Sequence, residues 1–170
     1  MTVDMLWSPP GAGWIKCNID GAVAGSTSLA SCDGIFRDAQ ANHVISFSVF
    51  LGPGSSVFEE FMAAVLAIEK ARHLNWTELW LETDCALLVK AFSDSSLVPW
   101  KIKSRWLTCW AYTLSIDFRI IHIFREANFC TDVLANIGLK RKSIATNFDM
   151  SSGFADGMCR SGFADANGIQ

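Results

Sequence analysis

The chain contains no uninterrupted apolar run of about 18 residues, so nothing in its 170 residues reads as a membrane-spanning helix. Its first stretch, MTVDMLWSPPGAGW, lacks the basic start and apolar centre of a secretory signal. The expectation is therefore an intracellular protein, not secreted, in nucleus or cytoplasm. No two of the six cysteines stand closer than Cys17 and Cys32, which rules out a C-x-x-C metal knuckle or redox pair and leaves buried, reduced thiols. Charge is scarce as well. Charged residues make up 18%, the net charge is −3 and the pI is near 5.5, so the usual basic footprint of a nucleic-acid binder is missing. No glycine-rich phosphate cradle is present either, which argues against a small-molecule cofactor of the nucleotide type.

Apolar residues are abundant. They form 51% of the chain, with a mean hydropathy of +0.26, which excludes a disordered protein and suits one domain with its own core. Pro9, Pro10, Gly11 and Gly13 mark residues 1–13 as a turn-rich lead-in. Residues 14–23 alternate with period two, Ile15, Cys17 and Ile19 on one face and Lys16, Asn18 and Asp20 on the other, which predicts a strand. Residues 25–33 read as a small-residue loop. Residues 34–38 and 43–52 read as a hairpin around a turn at 39–42.

A Gly-Pro-Gly-Ser-Ser loop offers a serine as a helix cap, and residues 57–74 after it form the clearest helical pattern. Ala63, Ala64, Ala67 and Ala71 make a small-residue stripe on it, fit for close approach to a sheet. A strand at 78–84, a helix from about 85 to 92, a helix at 100–115, a strand at 118–124 and a last helix at 130–139 complete the order β-β-β-α-β-α(α)-β-α. That order implies an α/β fold with a mixed five-stranded sheet, three antiparallel strands then parallel ones, flanked by helices. Residues 14–140 form the domain. Residues 141–170 read as a loose Gly- and Ser-rich tail holding two SGFAD copies, at 152–156 and 161–165.

Four acids fall where this order could bring them together. Asp20 sits inside a strand, a place that depletes Asp, although an outward solvated face explains it too. Glu60 shares the alanine stripe and should press on the sheet, whereas Glu59 should point away and serve the helix dipole. Asp84 ends a strand and begins a helix, as an N-cap or as a site residue at a strand's carboxyl end. Asp132 opens the last helix. Converging carboxylates repel and need cations, and an all-oxygen set selects Mg²⁺ or Mn²⁺. Two such ions roughly 3.5–4 Å apart are the arrangement used in phosphodiester cleavage.

The segments WIKCNIDGA, GIFRD, EEFMAAVLAIEKA, LWLETDC and HIFREANFCTDVLANIGL occur in an order and spacing that resembles the plant ribonuclease H-like domain, over residues 7–140. This is the type-1 RNase H fold found at the ends of plant non-LTR retrotransposon polyproteins. The resemblance implies a D-E-D-D set carried by Asp20, Glu60, Asp84 and Asp132, two Mg²⁺ or Mn²⁺ ions, and cleavage of the RNA strand of RNA–DNA hybrids by a monomer. It implies a proton-shuttling role for His122, with a plain sheet residue as the alternative. It implies a contact of Asn128 with an RNA 2′-hydroxyl, with a helix cap as the alternative. The sequence departs from the pattern at Asp33, which replaces the first glycine of a Gly-Gly pair and adds charge where backbone amides would meet RNA. Lys101, Lys103 and Arg105, with Arg119 and Arg125 nearby and Trp100, Trp106 and Trp110 interleaved, stand in for a basic handle. A retrotransposon-derived, non-catalytic module that binds nucleic acid or protein is the competing expectation.

Overall fold

The computed structural model describes residues 7–25, 27–128 and 144–146. Strands β1 (Ile15–Ala24), β2 (Leu29–Arg37) and β3 (His43–Pro53) form an antiparallel meander. Helix α1 (Ser56–His73) is next, then β4 (Glu78–Thr83), α2 (Ala86–Ala91), α3 (Lys103–Thr113) and β5 (Asp117–His122). The sheet order is β5-β4-β1-β2-β3, with β1, β4 and β5 parallel, as the pattern of elements predicts. Among the described residues no helix is long and apolar enough to cross a membrane.

The packing results from the alternation. Cys17 and Ile19 of β1 and Phe36 and Phe47 of the hairpin are buried in the core together with α1. Ala63, Ala64, Ala67 and Ala71 are all fully buried, so the small-residue stripe is the face that lies on the sheet. Gly34 is required here, because a Cβ on it would stand 2.3 Å from the Phe47 ring. Trp106 of α3 closes the core against Phe61 and Phe92, with ring centroids 5.3 and 4.7 Å away. It is a core residue rather than a stacking platform.

Several expectations change. β1 and β2 pair from Ala24 and Leu29 onward, so the loop predicted at 25–33 shrinks to residues 25–28. Ser28 turns the chain there with a φ of 50°, and its N–H donates to the Ala24 carbonyl at 2.9 Å. Small polar residues of weak strand preference are carried into the sheet by pairing on both sides. The Ser55 side chain makes no capping bond to α1. The helix predicted at 100–115 opens with a separate 3₁₀ turn, Trp100–Ile102, before α3. Within the stretch expected as a loose tail, Ile144–Thr146 form a sixth strand, β6, antiparallel to β3 at the sheet edge. The predicted helix at 130–139 and the SGFAD copies lie outside the described residues.

The second face of β1 is not solvated. Lys16, Asn18 and Asp20 are 1%, 3% and 3% exposed. Lys16 Nζ is paired to Glu82 Oε1 at 2.7 Å and lies 4.0 Å from the Trp80 ring centre. The lead-in takes part: the Trp7 indole N–H donates to Asn18 Oδ1 and the Ser8 carbonyl accepts from Lys16 Nζ.

Candidate active site

Three elements meet at one place. β1 carries Asp20 at its middle, where its pairing to β4 has stopped, β4 stops at Thr83 just before Asp84, and Glu60 stands just past the first turn of α1. Gly21 makes the meeting possible. A Cβ on it would fall 2.7 Å from the Glu59 Cβ and 2.9 Å from the Glu60 nitrogen, so only glycine lets α1 start against β1. Carboxylate oxygens of Asp20, Glu60 and Asp84 all lie within 4.8 Å of one another. Burial pushes the Glu60 carboxyl up to about 9, and the charges of Asp20 and Asp84 push in the same direction. The Asp20 carboxylate also accepts from the Gly21 N–H at 2.9 Å.

Asp84 is not a helix cap, because the cap position of α2 falls on Cys85. The turn is made instead by Thr83, whose hydroxyl oxygen accepts from the Cys85 N–H at 3.0 Å. The Asp84 carboxylate is thereby left to the cluster. His122 ends β5 beside Thr83 and places Nε2 3.1 Å from the Asp84 carbonyl. A carbonyl only accepts, so Nε2 carries the proton and in the neutral ring Nδ1 carries the lone pair. Asp132 lies outside the described residues.

The residues expected to touch nucleic acid separate into two groups. Asn128 is buried, with 1% exposure, and its Nδ2 donates to the Ile19 carbonyl at 2.8 Å. Its side chain is thus held by β1. Lys103 donates to the Ser95 carbonyl, and Arg105 makes a two-pronged pair with Glu69 at 3.0 and 2.7 Å. Lys101 is exposed beside Trp100, itself 82% exposed, and Arg125 is exposed in the 3₁₀ turn Arg125–Asn128.

Two acids near the cluster escaped the sequence reading of their surroundings. Asp33 belongs to β2, directly across from Asp20 and beside Ser48 of β3, and is fully buried. Burial holds its carboxyl well above the usual range, opposed by the Ser48 hydroxyl and reinforced by Asp20. It adds no charge to a nucleic-acid-facing loop, contrary to the expectation. Glu59 does not point away either. It is fully buried against Gly21 and Gly54, neither of its carboxylate oxygens has a hydrogen-bond partner among the described residues, and burial raises its pKa. The Asp-Gly pairs at 20–21 and 33–34 were the available signal, since glycine next to an acid marks close backbone approach.

The profile of the reverse transcriptase-like family matches residues 18–138. A curated Arabidopsis thaliana protein named for ribonuclease H is 30% identical over 150 residues, covering 85% of this chain. The chain spans 23% of that relative's length. The fold is shared with the RNase H1 of the halophilic archaeon Halobacterium salinarum, at 21% identity and a TM-score of 0.64, over 75% of this chain and 98% of that one. It is shared equally with LC11-RNase H1 from compost, solved in complex with an RNA/DNA hybrid, at 19% identity and a TM-score of 0.66, over 75% and 98% of the two chains.

Proposed function

The chain belongs to the reverse transcriptase-like family of ribonuclease H-like domains, and from that premise we propose that it is a divalent-metal-dependent endoribonuclease acting on the RNA strand of RNA–DNA hybrids. The observation that carries the proposal is the convergence of Asp20, Glu60 and Asp84. Three carboxylates this close destabilise one another unless a cation joins them, and at Glu60 the Asp20 and Asp84 charges add to burial, which is the larger cause of its raised carboxyl. An all-oxygen donor set suits Mg²⁺ or Mn²⁺. Asp20, Glu60 and Asp84 would hold two such ions, with Asp132 as the fourth acid of the set. When bound, the ions supply Lewis acidity to the scissile phosphate and a nucleophilic water.

The protein's own groups do the rest. Asp20 comes from the middle of β1 and Asp84 from the end of β4, and both orient the site. His122 is exposed at the rim with Nδ1 as its basic atom, placed to take a proton and return it to the leaving oxygen. Selection between RNA and DNA strands would rest on groove shape and 2′-hydroxyls, which distinguish RNA-containing duplexes. LC11-RNase H1, which shares the fold, was solved with such a hybrid.

The test is a hybrid with end-labelled RNA, incubated with the protein in Mg²⁺ and in chelator. Cleavage should require Mg²⁺. Asp84→Asn keeps shape while removing one charge, and should lower cleavage by orders of magnitude with the melting temperature retained. Binding of hybrid without Mg²⁺-dependent cleavage by the parent would establish a binding module in its place.

A further inference from the structure

The parallel ladder between β1 and β4 ends where Asn18 pairs with Glu82. Beyond that rung the strands diverge, because the chain turns after Thr83 to present Asp84 while β1 runs on through Ile19 to Asp20. The divergence is the cleft in which these two carboxylates meet Glu60. A buried backbone carbonyl beside such a gap requires a donor. At Ile19 the donor is the side chain of Asn128, at 2.8 Å.

Asn128 is itself held. Its Oδ1 accepts from Asn18 Nδ2 at 3.4 Å, the same nitrogen donates to Glu82 Oε2 at 2.9 Å, and the Trp7 indole N–H donates to Asn18 Oδ1 at 2.8 Å. Glu82 is fixed in turn by the buried Lys16 ammonium. One polar network therefore ties the lead-in, the end of the β1–β4 ladder and the 3₁₀ turn after β5 to the peptide that precedes Asp20.

We propose that Asn128 is a positioning residue: its carboxamide takes the place of the missing β4 rung at Ile19 and so fixes how far Asp20 stands from Asp84. The proposal rests on the reading of the three acids as a metal site. It assigns Asn128 to the protein interior and gives it no part in substrate contact. Groups that orient metal-binding carboxylates without touching the ion change affinity or activity by about 10–100-fold when removed.

Calorimetric Mn²⁺ titration of the full chain tests this without depending on cleavage. Asn128→Ala should weaken Mn²⁺ binding by about tenfold or more. With hybrid as substrate it should lower kcat and leave KM unchanged. Trp106→Phe, which loosens the core at α3 away from β1, should keep the parental Mn²⁺ affinity. If the alanine variant does not fold, Asn128→Ser, which retains a short hydroxyl donor, should show a smaller loss of the same kind. Parental Mn²⁺ affinity in Asn128→Ala, or a raised KM with reduced preference for ribose over deoxyribose, would overturn the assignment. So would equal Mn²⁺ losses in Asn128→Ala and Trp106→Phe. A parent that binds no Mn²⁺ at all would remove the metal reading, and this proposal with it.

Discussion

Burial keeps the Glu60 carboxyl protonated up to about 9, and Asp33 and Glu59 are raised in the same direction for the same reason. In the unfolded chain these acids release their protons near pH 4. Between that point and about pH 9 the folded, metal-free protein holds more protons than the unfolded one, so stability falls as pH rises through this window. A divalent ion must displace the Glu60 proton, so its affinity should grow as pH rises toward 9. Melting temperatures in chelator should therefore decline from pH 5 to pH 9, and the gain on adding Mg²⁺ should widen over the same range. A gain independent of pH would show that Glu60 is not displaced. Asp20, Glu60 and Asp84 were legible in the sequence because each was an anomaly: an acid in a strand, on an apolar helix stripe, or at a strand end. Asp33 and Glu59 were not. Each depended on a strand start or a first helical turn that a shift of one residue moves to the other face.

Helix α1 was legible to within a residue at each end because its alanine stripe repeats over four turns. The start of β2 was not, since Ser31, Cys32 and Asp33 carry no strand signal of their own and pair because β1 and β3 flank them. The same tertiary effect creates β6, three residues whose strand state comes from pairing at Phe47, Ser48 and Val49 of β3. Such an edge strand contributes hydrogen bonds worth about 0.5–1.5 kcal/mol each, offset by the cost of ordering the strand. A chain ending at Ser143 should thus melt about 2–4 °C below one ending at Asn147, since about 1 kcal/mol shifts a domain of this size by that amount. Identical melting temperatures would show β6 to be without energetic weight. Core closure is a larger matter. Trp106 lies between Phe61 and Phe92, and Trp106→Ala should cost about 3–5 kcal/mol by denaturant unfolding, as buried aromatic truncations do.

A protein of net charge −3 has little general attraction for a polyanion, and the basic residues of its 3₁₀ and α3 region are partly committed elsewhere, Arg105 to Glu69 and Lys103 to the Ser95 carbonyl. The sequence could show that these cations cluster. It could not show that two of them are bound internally, because Glu69 and Ser95 lie far from them along the chain or outside helical spacing. On the proposed reading, hybrid affinity would come largely from the carboxylate site, which would repel phosphate when empty of cations and attract it when divalent ions reverse its sign. A single charge near a phosphate is worth between about 1 kcal/mol in water and about 4 kcal/mol at a protein surface. Since each 1.4 kcal/mol is about tenfold, Mg²⁺ should tighten binding by about tenfold or more. The measurement uses Asp84→Asn, which keeps Asp20 and Glu60 and turns over slowly, with hybrid in Mg²⁺ or in chelator at matched ionic strength. Lys101→Ala should weaken binding further and reduce the salt slope by about one, the signature of a single lost phosphate contact. Equal affinity with and without Mg²⁺ would mean that hybrid is held by a surface other than the acidic cluster, and would turn the assignment from nuclease to binding module.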